Sequence, residues 1–242
     1  MLELSPYIFH TRVSYCDIGR DLCLSLSGVM RMMQEAAIIH SDQSGYSVMD
    51  VERTRVVWLL VQWRVRMFGK VKWNEPVDVV TWPQTMEKLT SNRCFQIKNK
   101  EGELVAVADS MWLLANADSG RVMRIPAEVS AAYDLIEEGV FDVPMSKLSQ
   151  KVGEKMTSGM VLRRDLDTNH HVNNLVYLEY ARDALPETVR QADFREVVVH
   201  YHRQLLLGDV FHCYYEKSDN GHLVQICGED TRHVHCSILF CE

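Results

Sequence analysis

Residues 27–39 read SGVMRMMQEAAII, a stretch that predicts a helix with almost no polar face. Its apolar members are Val29, Met30, Met32, Met33, Ala36, Ala37, Ile38 and Ile39. Such a helix must be surrounded by protein, because its apolar side chains would otherwise contact water on nearly every side. We expect Ser27 to cap its N-terminus, since a serine hydroxyl accepts a hydrogen bond from the free N–H groups of a first turn.

The chain that follows this helix is rich in β-branched and aromatic residues, which favour strands. In the first half, the predicted strands cover residues 56–67, 77–83, 93–98 and 104–115. In the second half, they cover residues 195–206, 210–217, 223–229 and 231–240. A long antiparallel sheet that follows an apolar helix indicates a sheet curled around that helix, which is the hotdog arrangement.

The same order of elements occurs twice along the chain. Residues 17–22 (DIGRDL) precede the first helix, and residues 165–170 (DLDTNH) precede a second helix predicted at 173–184, where Asn173 and Asn174 suit the cap. A short strand is predicted before each segment, at 8–15 and at 160–164. We therefore predict an α+β fold of tandem hotdog domains, each an antiparallel sheet wrapped around a central helix. They would span residues 1–126 and 153–242, joined by a linker at 127–152 with a helix that begins at Pro126.

Charge and cysteine content narrow the possible functions. The net charge of −7 disfavours a nucleic-acid binder, which would usually be basic. Seven cysteines, an odd number without a CxxC pair, argue against a disulfide framework and for a reducing compartment. With neither a signal peptide nor an apolar run long enough to span a bilayer, we expect a cytoplasmic protein that does not bind membranes.

One motif in the second half is specific enough to indicate a family. Residues 163–174 read RRDLDTNHHVNN, and Tyr177 follows three residues later. This resembles the D-x-D-x-N-x-H-V-N-N-x-x-Y signature of the acyl-acyl-carrier-protein (acyl-ACP) thioesterases of plants and bacteria. Further agreement, in the family's order, comes from Trp58, residues 73–77 (WNEPV), Trp82, residues 102–103 (GE), residues 110–112 (SMW) and residues 124–126 (RIP).

The resemblance implies an enzyme that hydrolyses the thioester of fatty acyl-ACP, releases free fatty acid and carrier protein, and so terminates fatty acid synthesis. Its partner would be acyl carrier protein bearing a phosphopantetheine-linked acyl chain; no cofactor is expected, and a homodimer is allowed. Two alternatives stay open, an acyl-CoA thioesterase on the same fold and an acyl-binding protein without activity. We expect no metal site, because His233 and His235 would share one face of a strand while Cys236 points to the other.

The candidate catalytic residues are Asp167, Asn169 and His171. Their i, i+2, i+4 spacing would place all three on one side of an extended segment, beside the positive end of the following helix. His171 suits a general base, because the pKa of histidine lies near neutral pH. Asn169 can hold the water or the carbonyl. Asp167 would either orient His171 or attack the thioester itself, and the sequence leaves both roles open.

One position departs from the family's pattern. Where the family carries an acid implicated in catalysis, sometimes followed by cysteine, residues 201–205 read YHRQL. Gln204 cannot take a proton from water, and Leu205 has no thiol, so a Cys–His mechanism is excluded at this position. Gln204 would at most position the water.

Two further groups follow from the resemblance and from charge. The family's first domain lines the acyl tunnel, which makes Met30, Met33 and Trp58 candidates for substrate binding, although simple core packing also explains them. Carrier proteins are acidic, and a basic stretch could dock them. It comprises Lys147, Lys151, Lys155, Arg163 and Arg164, and a solvated linker is the alternative interpretation.

Overall fold

The computed structural model describes residues 5–145, 147–148, 152–190, 192–230 and 233–242. The chain divides into two compact units, one of residues 1–61 and 65–144 and the other of residues 62–64 and 145–242. The predicted boundaries at 126 and 153 leave the linker between them as a separate segment, whereas residues 127–144 pack with the first unit. The reason is apolar contact, since Val129 and Tyr133 are buried with Val56 and Leu114.

The first unit is a five-stranded sheet with one long helix. Its strands are β1 (Tyr7–Arg12), β2 (Val56–Met67), β3 (Pro76–Met86), β4 (Thr90–Asn99) and β5 (Leu104–Asn116), in the order β1-β3-β4-β5-β2. β1 pairs with β3, β3 with β4 and β4 with β5, each time antiparallel. Its helices are α1 (Leu26–Gln43) and the short α2 (Val51–Thr54) and α3 (Ala127–Ala131).

Helix α1 is enclosed as its composition predicts. Met30, Met33 and Ala36 have no exposed surface, and the helix packs against β1, β3 and β4. The prediction that Ser27 caps it was wrong: Ser25 is the cap, and its hydroxyl accepts the N–H of Gly28 at 3.1 Å. Ser25 is drawn into this position because its own N–H and hydroxyl both donate to the carbonyl of Asp17.

The second unit repeats this plan. Its strands are β6 (Glu154–Met160), β7 (Glu196–Tyr201), β8 (Val210–Ser218), β9 (Gly221–Gly228) and β10 (Val234–Cys241), in the order β7-β10-β9-β8-β6. All four neighbouring pairs are antiparallel. Helix α4 (Asn174–Asp183) packs on β9 and β10 with Tyr177, Leu178 and Ala181 buried, and α5 (Glu187–Arg190) follows it.

Two predicted strands of the second half differ from the structure. The strand expected at 160–164 ends at Met160, and Arg163–Asp165 forms a single 3₁₀ turn instead. The Asp165 carboxylate stabilises this turn by accepting the N–H of Leu162 at 2.8 Å and the hydroxyl of Tyr180 at 2.8 Å. The strand expected at 195–206 ends at Tyr201, because the N–H groups of His202 and Arg203 both donate to the single carbonyl of His235 and so leave the regular strand pairing.

The two units have the same topology. Each has a first strand, a helix and four further strands, and the sheet order β1-β3-β4-β5-β2 corresponds element by element to β6-β8-β9-β10-β7. In each unit the helix covers the sheet with its apolar side chains. The fold is therefore α+β, with a hotdog domain in each half, as predicted.

Candidate active site

The motif forms a tight loop rather than the extended segment we expected. Leu166 and Val172 pair as an isolated antiparallel bridge, and the Asp167 N–H donates to the His171 carbonyl at 2.8 Å. His170 closes the loop with a φ of +62°, in the left-handed region. The i, i+2, i+4 spacing of the three candidates therefore does not place them on one face of a strand.

The Asp167 side chain holds this loop closed. Its Oδ1 accepts the N–H of Asn169 at 2.8 Å and the N–H of His171 at 3.2 Å. Carboxylates make such bonds to backbone groups two residues further on, and these bonds favour a turn over a strand. In the described part of the chain, the hydrogen bonds of this carboxylate go to the backbone of His171 and not to its imidazole.

Helix α4 begins immediately after the loop. Asn173 is its N-cap, as expected, and its side chain accepts the N–H of Leu175 at 3.0 Å. The N–H of Asn173 donates to the Asp165 carbonyl, and that of Val176 donates to the Asn173 carbonyl. Asn174 lies between them, and its N–H has no acceptor among the described residues. One free donor and the positive end of the helix dipole therefore lie beside the motif.

The segment that carries Gln204 is fastened to the motif loop. The Val172 N–H donates to the Leu205 carbonyl at 3.0 Å, and His171 pairs with Leu206. The Tyr177 hydroxyl accepts the Leu205 N–H at 2.9 Å, so helix α4 fixes the same segment from its own side. His235 Nδ1 donates to the Gln204 carbonyl at 3.1 Å. These bonds hold the backbone of Gln204 beside the loop that bears Asn169 and His171.

The first unit contains a second copy of this arrangement. The Gly19 N–H donates to the Cys23 carbonyl at 2.8 Å, just as Asp167 donates to His171. Leu22 has a φ of +60°, matching His170. The Leu24 N–H donates to the Val71 carbonyl at 2.8 Å, which matches the bond from Val172 to Leu205. The two loops therefore have the same backbone structure, residue for residue.

This correspondence gives the relation between Asn169 and Gln204. Asp21 occupies the position of Asn169, and Lys70 occupies the position of Gln204. Lys70 Nζ lies 3.0 Å from Asp21 Oδ2, so a lysine side chain spans the distance between these two positions. In the second unit, both residues at the positions of this ion pair carry amide side chains. Gly19 and Cys23 stand where the second unit has Asp167 and His171.

Other residues singled out from the sequence lie in different surroundings. Met30 and Met33 are fully buried on α1. Trp58, on β2, is partly buried against the cluster of Val56, Leu114, Val129 and Tyr133, and its ring lies 6.5 Å from that of Tyr133. Of the basic residues, Lys147, Lys155, Arg163 and Arg164 are exposed and belong to the second unit, while Lys151 lies outside the described residues.

Two tyrosines near the motif have positions that the sequence did not predict. Tyr177 is buried, and its hydroxyl holds the Leu205 N–H; burial raises the pKa of Tyr177, so the hydroxyl stays protonated. Tyr201, at the end of β7, donates to the Asn174 carbonyl at 2.9 Å. Tyr177 is the last residue of the motif, and its place in the motif was the sequence signal that could have indicated its contact with Leu205. The second depends on how β7 and α4 pack, which no sequence pattern indicates.

Family models match both halves of the chain. The acyl-ACP thioesterase N-terminal domain matches residues 7–133, and the acyl-ACP thioesterase C-terminal domain matches residues 149–238. A palmitoyl-acyl carrier protein thioesterase of Cuphea hookeriana is 28% identical over 205 residues, covering 78% of this chain and 49% of that protein. An oleoyl-acyl carrier protein thioesterase of Arabidopsis thaliana is 22% identical over 213 residues, covering 80% and 58%. The chain thus spans about half to three fifths of the length of these relatives.

Solved structures agree with this fold. An acyl-ACP thioesterase from Bacteroides thetaiotaomicron superposes with a TM-score of 0.86 at 18% identity, covering 97% of this chain and 96% of that one. A 12:0-ACP thioesterase from Umbellularia californica gives a TM-score of 0.82 at 20% identity, covering 97% and 96%. Among the described residues, no helix is long and apolar enough to cross a membrane. Because the family models cover both halves, the chain belongs to the acyl-ACP thioesterase family.

Proposed function

We propose that this protein hydrolyses the thioester between a fatty acyl group and acyl carrier protein, releasing the free fatty acid. The observation that supports the proposal is the motif loop at the start of α4, where the Asp167 carboxylate accepts the backbone N–H groups of Asn169 and His171 and the N–H of Asn174 has no acceptor among the described residues. Family membership supports the substrate class.

The reaction needs a base that takes a proton from water as the water attacks the thioester carbonyl. His171 is the residue in the loop suited to this step, because a ring nitrogen of imidazole can accept the proton that water loses. Asp167 acts on it through the backbone, by setting the loop that presents it. A carboxylate that already accepts two N–H groups is a poorer nucleophile, which favours attack by water over an anhydride with Asp167.

The negative charge that develops on the carbonyl oxygen needs a donor. The N–H of Asn174 at the positive end of α4 supplies one, and a single well-placed donor of this kind is worth roughly 3–4 kcal/mol of barrier. The Asn169 amide, with Gln204 beside it, positions the attacking water. Neither amide can remove a proton, so His171 carries the acid–base chemistry.

The two domains would have different functions, acyl binding in the first and catalysis in the second. We assign the acyl chain to the first hotdog domain, where Met30 and Met33 line α1 and Trp58 packs on β2. The second domain would carry the chemistry and the carrier-protein contact. That contact would use Lys147, Lys151, Lys155, Arg163 and Arg164. Arg163 and Arg164 are exposed immediately before the motif loop, which supports this assignment. All seven cysteines are free thiols, which fits a reducing compartment such as the cytoplasm.

The test is a direct assay for free fatty acid with acyl-ACP and with acyl-CoA of the same chain length. We expect the carrier-protein substrate to have the higher kcat/KM. Substituting His171→Ala should lower kcat at least roughly a hundredfold while circular dichroism stays unchanged, as for the loss of a general base. The matched control is Cys23→Ala, at the corresponding position of the first unit, which should leave kcat unaltered.

Three results would contradict the proposal. Equal kcat/KM values for the two substrates would assign a general acyl thioesterase. Binding of the acyl group without release of fatty acid would assign a protein that only carries it. Normal turnover in folded His171→Ala would show that another residue is the base.

A further inference from the structure

Arg93 is a buried cation inside the first hotdog domain. It lies on β4 with 6% of its surface exposed, and its side chain points to the sheet face that α1 covers. Its Nη1 donates to His40 Nδ1 on α1 at 3.0 Å and to Thr81 Oγ1 on β3 at 3.2 Å. The ring of Tyr133 lies 5.9 Å from its Cζ.

The described residues provide no acid to neutralise this charge. The two groups that accept hydrogen bonds from Arg93 are neutral, and both accept them from Nη1. The N–H groups of Nε and Nη2 have no acceptor among the described residues. Burial and the neighbouring guanidinium lower the pKa of His40 to about 4, so His40 is a neutral acceptor at pH 7. Burial lowers the pKa of Arg93 to about 10, and Arg93 therefore remains charged. A buried charge without a counter-ion is expensive and calls for a partner.

The fold itself does not require a cation at this position. In the second unit, the position that corresponds to Arg93 is occupied by His222, since Pro83 pairs with Arg93 and Lys217 pairs with His222 in matching strands. The Tyr215 hydroxyl lies 2.9 Å from His222 Nδ1, and Glu242 Oε1 lies 3.3 Å from its Nε2. The second unit thus has a histidine with Glu242 beside it at the position where the first unit has a guanidinium with no acid beside it among the described residues.

The cation lies next to the residues assigned to acyl binding. The Tyr133 ring contacts both the His40 ring, at 5.7 Å, and the Trp58 ring, at 6.5 Å. On α1, Met33 precedes His40 by seven residues, so the two share a face of the helix and lie about 10 Å apart along its axis. A hydrocarbon chain that follows this face from Met33 would reach the guanidinium.

We propose that Arg93 binds a carboxylate carried on a hydrocarbon chain, with His40 and Thr81 holding the guanidinium in place. The inference rests on the proposed function for the presence of such a chain. Two sources share this chemistry: the distal carboxylate of a dicarboxylic acyl group, and the carboxylate of a released fatty acid. In both cases the unused N–H groups of Nε and Nη2 form a paired contact with the two oxygens.

The first experiment measures binding alone, by calorimetry, with dodecanoate and dodecanol. We expect wild-type protein to bind dodecanoate roughly ten- to a hundredfold more tightly, as for a charge-assisted hydrogen-bonded pair. Substituting Arg93→Met should abolish this preference, and Arg93→Lys, which keeps the charge but loses the fork, should reduce it. The matched control is Arg12→Met, an exposed arginine of the same unit, which should keep it. Equal binding of the two ligands by wild type, or an undiminished preference in folded Arg93→Met or Arg93→Lys, would overturn the proposal.

The second experiment identifies the source, with carrier protein bearing twelve-carbon acyl groups that end in a methyl or in a carboxylate. If the distal carboxylate is the ligand, wild type should favour the carboxylate-ended substrate by a similar factor, and Arg93→Met should not. If the released acid is the ligand, both substrates should react alike, and Arg93→Met should lose product inhibition. Failure to hydrolyse either substrate would refute the proposed function, and the binding comparison would still decide the role of Arg93.

Discussion

Two substitutions of Asp167 can distinguish its two possible roles, which are to hold the motif loop or to attack the thioester. Its Oδ1 accepts two backbone N–H groups, those of Asn169 and His171, at 2.8 and 3.2 Å. Asp167→Ala removes both bonds, whereas Asp167→Asn keeps an oxygen acceptor of the same shape without the charge. If Asp167 acts by holding the loop, the two variants should differ strongly in kcat. If Asp167 attacks the thioester, both should be equally inactive.

The size of the difference follows from these contacts. A hydrogen bond to a charged group contributes about 1.5–3 kcal/mol when buried, and water can replace part of it in a half-exposed loop. We therefore expect Asp167→Ala to lower the free energy of unfolding by about 2 kcal/mol and Asp167→Asn by about 1 kcal/mol. Misplacing the His171 side chain by an ångström can cost about a hundredfold in rate. The expected fall in kcat is therefore about a hundredfold or more for alanine and less than about tenfold for asparagine.

The assay combines release of free fatty acid from acyl-ACP with urea unfolding of each variant. The matched control is Asp21→Asn in the first unit, whose Oδ1 accepts the Cys23 N–H at 3.2 Å in the corresponding loop. This control should change stability slightly and kcat not at all. An Asp167→Asn variant that is as inactive as Asp167→Ala, yet nearly as stable as wild type, would refute the positioning role and favour direct attack.

Four further outcomes are expected. Gln204→Glu should raise kcat severalfold, with a new acidic limb in the pH–rate profile, because it places a group that can accept a proton beside the motif loop; an unchanged profile would show that position 204 is remote from the water. Tyr177→Phe should cost about 1 kcal/mol of stability and several-fold in kcat, because the backbone N–H that its hydroxyl accepts is left unpaired; unchanged urea unfolding and kinetics would contradict this. Reversing Lys147 and Lys155 to glutamate should raise KM for acyl-ACP and flatten its salt dependence, while hydrolysis of a small thioester without carrier protein stays the same; equal losses with both substrates would make these residues structural. The pKa of His40 is lowered in the folded state, so the unfolded chain binds a proton at a higher pH, and the free energy of unfolding should fall as the pH drops from about 6.5 to about 4. His40→Gln should remove that part of the pH dependence in urea unfolding, and an unaltered dependence would show that His40 does not titrate there.

The fold followed from the sequence because its strongest signals are periodic. An apolar helix such as α1 cannot lie on a surface. The strand Val56–Met67 was predicted with its observed ends because valine and tryptophan recur along its length. The helix start was misplaced by two residues, since Ser25 and Ser27 are equally good caps by type. The contact with Asp17 selects Ser25, and this contact depends on tertiary structure.

The residues of the candidate site were selected from the sequence by type, whereas the local structure expected for them was wrong. Motif resemblance selected Asp167, Asn169 and His171, but alternation along a strand gave the wrong local structure. The carboxylate of Asp167 competes for backbone N–H groups and closes a turn, an effect that a two-residue period does not represent. The position of the Gln204 backbone beside the motif loop depends on long-range hydrogen bonds. The opposite charges of Asp21 and Lys70, at the corresponding positions of the first half, were the sequence signal that could have indicated it.

The left-handed backbone of His170 has a consequence for the history of the two loops. A bulky residue with positive φ beside a reactive histidine would ordinarily suggest conformational energy stored for catalysis. Leu22 adopts the same conformation in the other copy, where glycine, cysteine and lysine stand at the positions of Asp167, His171 and Gln204. The unfavourable dihedral is thus a requirement of the turn that joins strand to helix, inherited by both halves. Different side chains, and with them different chemistry, can therefore be placed on these loops without a change in the main chain.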